Sequence, residues 1–394
     1  MRRLLLAPGL ILLAASLVVG CKPSTSTSPT GPPPAPQPPA PQPPVLPPAH
    51  TGTQPVTPEL GKPATELKAI SVFPIHKKLR VFDMALSPDG HIAVAPDDKE
   101  DGPHLWDTAT GKVIPWQDAD TAKYMKLSVT GPIFSSDGNR LWTVGSVPLG
   151  LGDSAIIGIN TKSHKIEESI PAPQSSSYCL ALSPDENLLA TNWAVYDLKN
   201  KKPKFEFGKE QKIQKQIGFG PNGKTLAGRS DPAITIWNVE TGMITHTLPF
   251  EVPFHSSGTY LAVSPKSDLF ALRRGTGKEG VVEIRDSATG EVKHTFCKGF
   301  NLKEGCLTWS PDGKYLTVAV ELGRFEEALR RTIWLLDATT GKPVASFAPA
   351  FEHDVDAISF SGDSSRLAII TSSEEPDRKI PAELFVWDLT KLAK

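Results

Sequence analysis

Residues 306–347 read CLTWSPDGKYLTVAVELGRFEEALRRTIWLLDATTGKPVASF. CLTWS is a short strand with alternating sides. SPDG turns the chain back: Pro311 pre-sets φ, Asp312 bonds its own backbone, and Gly313 accepts positive φ. KYLTVAV is a second strand, rich in β-branched and aromatic residues. TIWLLD is a third, ATTGK a turn in which Gly341 is free to take positive φ, and PVASF a fourth. A lone four-stranded sheet with two apolar faces cannot bury both, so neighbours must stack against it.

The same unit recurs along the chain. The first turn returns as LSPDG (86–90), FSSDG (134–138), LSPDE (182–186), FGPNG (219–223), VSPKS (263–267) and FSGDS (360–364). The third strand ends at Trp106–Asp107, Ile159–Asn160, Tyr196–Asp197, Trp237–Asn238, Arg285–Asp286, Leu336–Asp337 and Trp387–Asp388. Copies lie about 37 to 53 residues apart, near the ~40–45 of four-stranded propeller blades. Before each first turn stands a large residue (Leu86, Phe134, Leu182, Phe219, Val263, Trp309, Phe360). The residue preceding it is mostly small (Ala85, Ala181, Gly218, Ala262, Thr308, Ser359), and Ile133 is the misfit. These two positions face opposite sides of a strand, so large and small interlock between adjacent blades.

These turns and strand ends resemble the WD-repeat family of β-propellers, over residues 68–394. Trp106–Asp107 and Trp387–Asp388 match its namesake dipeptide, and the remaining copies are degenerate. The family's Gly-His dipeptide is missing, with His353 its nearest approach. The chain also resembles looser propellers of the periplasmic Tol-system type. The resemblance implies an all-β, seven-bladed propeller of four-stranded antiparallel blades. The last copy stops after its third strand, and residues 69–75 (AISVFPI) form a strand with no blade of their own. That segment is expected to supply the missing fourth strand and close the ring.

The N-terminus has a different composition. Met1–Arg2–Arg3 is basic, and Leu4 to Val19 is apolar but short for a span of ~20 residues. It suits a secretory signal, and Leu17–Val18–Val19–Gly20–Cys21 resembles the lipobox of bacterial lipoproteins. The resemblance implies a signal peptide over 1–20, a diacylated Cys21, and a membrane-anchored chain exported to the bacterial cell envelope. Lys22, in place of an aspartate, favours the periplasmic face of the outer membrane. Residues 21–67 read as a disordered, proline-rich tether: sixteen of the 38 prolines lie between Pro23 and Glu66. In polyproline II such a spacer reaches on the order of 100 Å.

No catalytic constellation is legible. Cys179 and Cys306 share one register, four residues before the turn serine, and read as buried thiols; a Cys297–Cys306 disulfide is the alternative. His246 and His294 sit at matching fourth-strand positions. There is no metal-binding motif, nucleophile elbow or cofactor loop, and GTG at 275–277 is too short to cradle phosphate. With 42 basic against 43 acidic residues and no basic block, nothing points to nucleic acid.

What varies is the set of loops between second and third strands, which the resemblance to WD-repeat propellers implies emerge on one face with the fourth-to-first connections. Residues 321–331 (ELGRFEEALRR) are expected to form a short helix presenting Phe325 beside Arg324, Arg330 and Arg331. With Arg273, Arg274 and Arg378 these make a candidate interaction surface. The expected function is an envelope-anchored protein-interaction scaffold with a protein partner. The alternatives are an envelope enzyme with an axial-funnel site (lactonase- or quinoprotein-like) and a ligand-sensing module.

Overall fold

In five blades the turn serine holds its hairpin by bonding in two directions. Its hydroxyl donates to the aspartate two residues on: Ser87 to Asp89, Ser135 to Asp137, Ser183 to Asp185, Ser310 to Asp312 and Ser361 to Asp363, at 2.5–2.6 Å. The same oxygen accepts the amide five residues on, at 2.9 Å in all five turns. The second recurring turn is capped by the aspartate or asparagine ending the third strand. Asp337 Oδ1, for example, accepts the Thr340 amide at 2.7 Å and its hydroxyl at 2.8 Å.

The computed structural model describes residue 63 and residues 65–392, except 76–82, 97–102, 122–128, 147–153, 173–178, 209–212, 214–215, 231–232, 250–259, 276–279, 303–306, 326–327, 349–353 and 373–381. The expected signal segment (1–20), Cys21 and most of the proline-rich segment therefore lie outside the described residues, as do Cys306, His353 and Arg378. The described strands form seven antiparallel blades of a β-propeller. Blade 1 starts at Ala85–Leu86, blade 2 at Val129–Phe134, blade 3 at Ala181–Leu182 and blade 4 at Ile217–Phe219. Blade 5 starts at Leu261–Val263, blade 6 at Thr308–Trp309 and blade 7 at Asp354–Phe360.

The apolar core lies between blades. Seven clusters fill the seven interfaces, blade 7 against blade 1 included. Near the axis the large and small positions interlock as expected. A Cβ on Gly218 would lie 2.8 Å from Val263 of the next blade. The Trp309 indole N–H donates to the Ala262 carbonyl at 3.1 Å, and the Leu86 amide donates to the Ser359 hydroxyl at 3.1 Å. Ile133 is accommodated by a register shift in its strand between Thr130 and Ile133. At the rim, a bulky residue from one blade packs on the second-turn glycine of the next. A side chain at Gly111 or Gly341, both at positive φ, would overlap the ring of Phe73 or Phe296. Blades 2 and 3 carry His164 and Lys201 at that position, also at positive φ. They meet the preceding blade through the Trp116 ring and the Glu168 carboxylate instead.

The ring closes as the sequence suggests. Ser71–Pro74 pairs antiparallel with Glu383–Asp388, Ser71 opposite Val386 and Pro74 opposite Glu383. Two expectations need correction. Thr65–Leu67, assigned to the disordered tether, belongs to a strand, Thr65–Lys68, that adds to blade 6 in parallel with Pro343–Ala348. Leu67 drives this: in a polar segment it is the one large apolar residue, and it is buried between blades 6 and 7. Nor do residues 321–331 form a helix. Tyr315–Phe325 and Ala328–Asp337 run on as one long hairpin, Phe325 opposite Ala328. An isolated helix this short is marginal in water, and the flanking β-ladder propagates through it. The hairpin base is fixed by Asn301, which receives the Glu321 amide at 2.9 Å and donates to its carboxylate at 2.8 Å.

Candidate binding site at the axial mouth

Four residues before each turn serine, or before Gly220 in blade 4, the chain enters the innermost strand from the loop face. The residues in this register are Asp83, Gly131, Cys179, Gln216, Tyr260, Cys306 and Ala357. A second register, nine residues after the serine, lies towards the loop-face end of the second strand at the same level, and in blades 2, 6 and 7 the strand runs on beyond it: Pro96, Val144, Asn192, Arg229, Arg273, Ala319 and Ile370. Backbone bonds tie the two registers in blades 4 and 5, Arg229 N to Gln216 O at 2.9 Å and Arg273 N to Tyr260 O at 2.8 Å. Blades 2 and 7 place only small or apolar residues here. Blades 3, 4 and 5 form a polar arc: Cys179 and Asn192, Gln216 and Arg229, Tyr260 and Arg273.

The arc is buried. The Arg229 and Arg273 guanidinium carbons lie 5.1 and 5.2 Å from the centroid of one ring, that of Tyr260. The Tyr260 amide reaches the Gln216 side-chain oxygen at 3.4 Å. From blade 1, Asp83 accepts the Met84 amide at 2.8 Å. It is partly exposed as a residue, yet its carboxyl is desolvated enough to bring its pKa up to about 7. Burial, and then the Asp83 charge, push the Cys179 thiol far above its ordinary range. Burial alone pushes Cys297 up to about 12. Cys297 forms no disulfide, and with their thiols pushed up neither cysteine is a thiolate nucleophile at neutral pH.

The interaction residues expected from sequence are dispersed. Arg273 is not on the surface but buried in the arc. Half-exposed Arg274 pairs with Glu283 at 3.6 Å. The backbones of Arg324, Phe325, Arg330 and Arg331 lie in the blade 6 hairpin, and the side chains of the first three lie outside what is described. Arg331 is partly buried at the hairpin base. His246 and His294 do occupy one register, opposite Ile236 and Ile284. The axial arc escaped the sequence reading, although Cys179 and Cys306 already marked its register. Reading that register through all seven copies brings out Asp83, Gln216 and Tyr260.

The fold defines the class, a seven-bladed β-propeller whose described polar cluster sits at the axial end of blades 3 to 5. Comparison with known family models and with curated proteins returns no match.

Proposed function

We propose that this protein is a lipid-anchored interaction module of a bacterial cell envelope, WD-repeat-like in its repeats, held by Cys21 on a proline-rich spacer, with its loop face turned to a protein partner. The observation that supports this most is the blade 6 hairpin. Its second strand has 11 residues, against 7 or fewer in the other blades. At ~3.3 Å per residue it stands roughly 15 Å beyond the sheet. A two-stranded projection from a closed scaffold offers a partner strands that are already paired before binding.

The test is cross-linking in cells and mass spectrometry, comparing wild type with a Phe325→Ala, Arg330→Ala double variant of unchanged thermal transition. Loss of specific partners in the variant is expected. Identical partner sets would remove the hairpin from the proposal. Cys21→Ser should abolish acyl labelling and release the protein from membranes. Retention of the label would overturn the anchoring. The polar arc favours a second reading, a ligand-sensing module with its site at the axial mouth.

A further inference from the structure

We infer that the axial end of blades 4 and 5 holds an oxyanion, the phosphate or carboxylate group of a ligand, on the guanidinium of Arg273 with Arg229 beside it. This does not depend on the blade 6 hairpin or its partner.

Arg273 is the penultimate residue of Leu269–Arg274, at the loop-face end of its strand, and is 3% exposed. Its Nη2 donates to the Leu302 carbonyl at 3.1 Å. Its Nε and Nη1 are buried and have no hydrogen-bond partner among the described residues. No described carboxylate pairs with it. Glu283, on the adjoining strand, is engaged by Arg274 at 3.6 Å and by Arg285 at 2.6 Å. A guanidinium does not lose its proton in a protein, so burial cannot be relieved by neutralisation. The Tyr260 ring face offers cation–π attraction, which is weaker than the hydrogen bonds that an oxyanion would supply to a buried guanidinium.

The open donors belong to a planar fork, the geometry that recognises carboxylate and phosphate in a bidentate way. Arg229, 2% exposed, brings a second positive charge to the same ring. A second cation against the same ring raises the positive potential that an anion on the Arg273 fork would meet. Tyr260 is itself fully buried, and the backbone bond from Arg273 N to Tyr260 O keeps ring and fork in register. Of the seven copies, only blades 4 and 5 carry arginine at this position, and they are neighbours, so the feature is not a property of the repeat.

The experiment titrates the mature full-length chain separately with inorganic phosphate, acetate and chloride at matched ionic strength. It follows heat release and the thermal midpoint. Saturable binding of phosphate or of acetate, with a rise in midpoint that chloride does not reproduce, is expected, and which anion binds identifies the group. Arg273→Gln should weaken that binding at least tenfold, and Arg273→Lys, which keeps the charge but not the fork, by an intermediate factor. Should Arg273→Gln fail to fold, Arg229→Gln supplies the comparison, again with weakened binding expected. No saturable binding of either oxyanion to wild type would overturn the inference. So would equal binding of chloride, or unchanged affinity in the arginine variants.

Discussion

Asp83 and Asp137 carry the same carboxyl into opposite protonation regimes. Asp137, in the blade 2 turn, is held at a pKa of about 2, chiefly by the Ser135 hydroxyl and then by the Asn139 amide. Its hydrogen bonds favour the charged form, so its contribution to stability is present above the ordinary 3.8 and is lost as pH falls towards 2. Asp83 has a folded pKa of about 7, raised from 3.8 by desolvation. The folded protein holds that proton more tightly than the unfolded chain does. Its contribution is therefore complete below 3.8 and lost as pH rises through 7. Between pH 5 and pH 8, wild type should lose more thermal stability than Asp83→Asn. Parallel stability curves for the two proteins over that range would refute this assignment.

At the level of the element, the first turn shows what a serine hydroxyl contributes and how the chain replaces it. Blade 5 lacks the aspartate, and Ser264 bonds Ser267 at 2.8 Å instead. Blade 4 lacks the serine, and a side chain at Gly220 would overlap the Thr225 hydroxyl, which occupies that space. A hydrogen bond to a charged partner is worth about 1.5–3 kcal/mol and a neutral one about 1. Ser310→Ala should thus destabilise the protein more than Ser264→Ala, by about 1 kcal/mol in urea denaturation. Equal costs would mean that Asp312 adds nothing to the turn. These turns were legible in the sequence because each is local: serine, aspartate and glycine fall within four residues. The blade 6 hairpin was not. EEALRR has strong helix propensity, and what decides otherwise is that the KYLTVAV–TIWLLD ladder runs on into ELGRF, with Arg331 opposite Glu321 and Ala328 opposite Phe325. Leu67 was missed because its partners in blades 6 and 7 lie far along the chain. Arg273 looked like a surface charge because sequence pattern does not show that Tyr260 and Leu302 enclose it.

At the level of the whole molecule, each blade shares its apolar faces with two neighbours, so no blade has a core of its own. Stability then depends on the last interface as much as on the first. Arg366 of blade 7 spans that seam, donating to the Gly90 carbonyl at 3.0 Å and the Thr108 hydroxyl at 3.1 Å of blade 1. Phe73 of the closing strand packs on Gly111 of blade 1. Deleting residues 65–75 removes both the closing strand and the fifth strand of blade 6. The thermal transition should then broaden and fall or disappear, as followed by circular dichroism. A truncated chain with the full wild-type transition would show that the ring does not need its clasp.

The pairing of Ser71 with Val386 also sets an order of events during synthesis. Ser71–Pro74 emerges from the ribosome before any blade exists, and its sheet partner, Glu383–Asp388, emerges after all the other described strands. Until then the nascent protein carries an unsatisfied strand at its front and an open blade face behind it, the kind of exposed edge that recruits chaperones or aggregates. Completion of the last blade, rather than accumulation of the first six, is the step at which this chain leaves that vulnerable state.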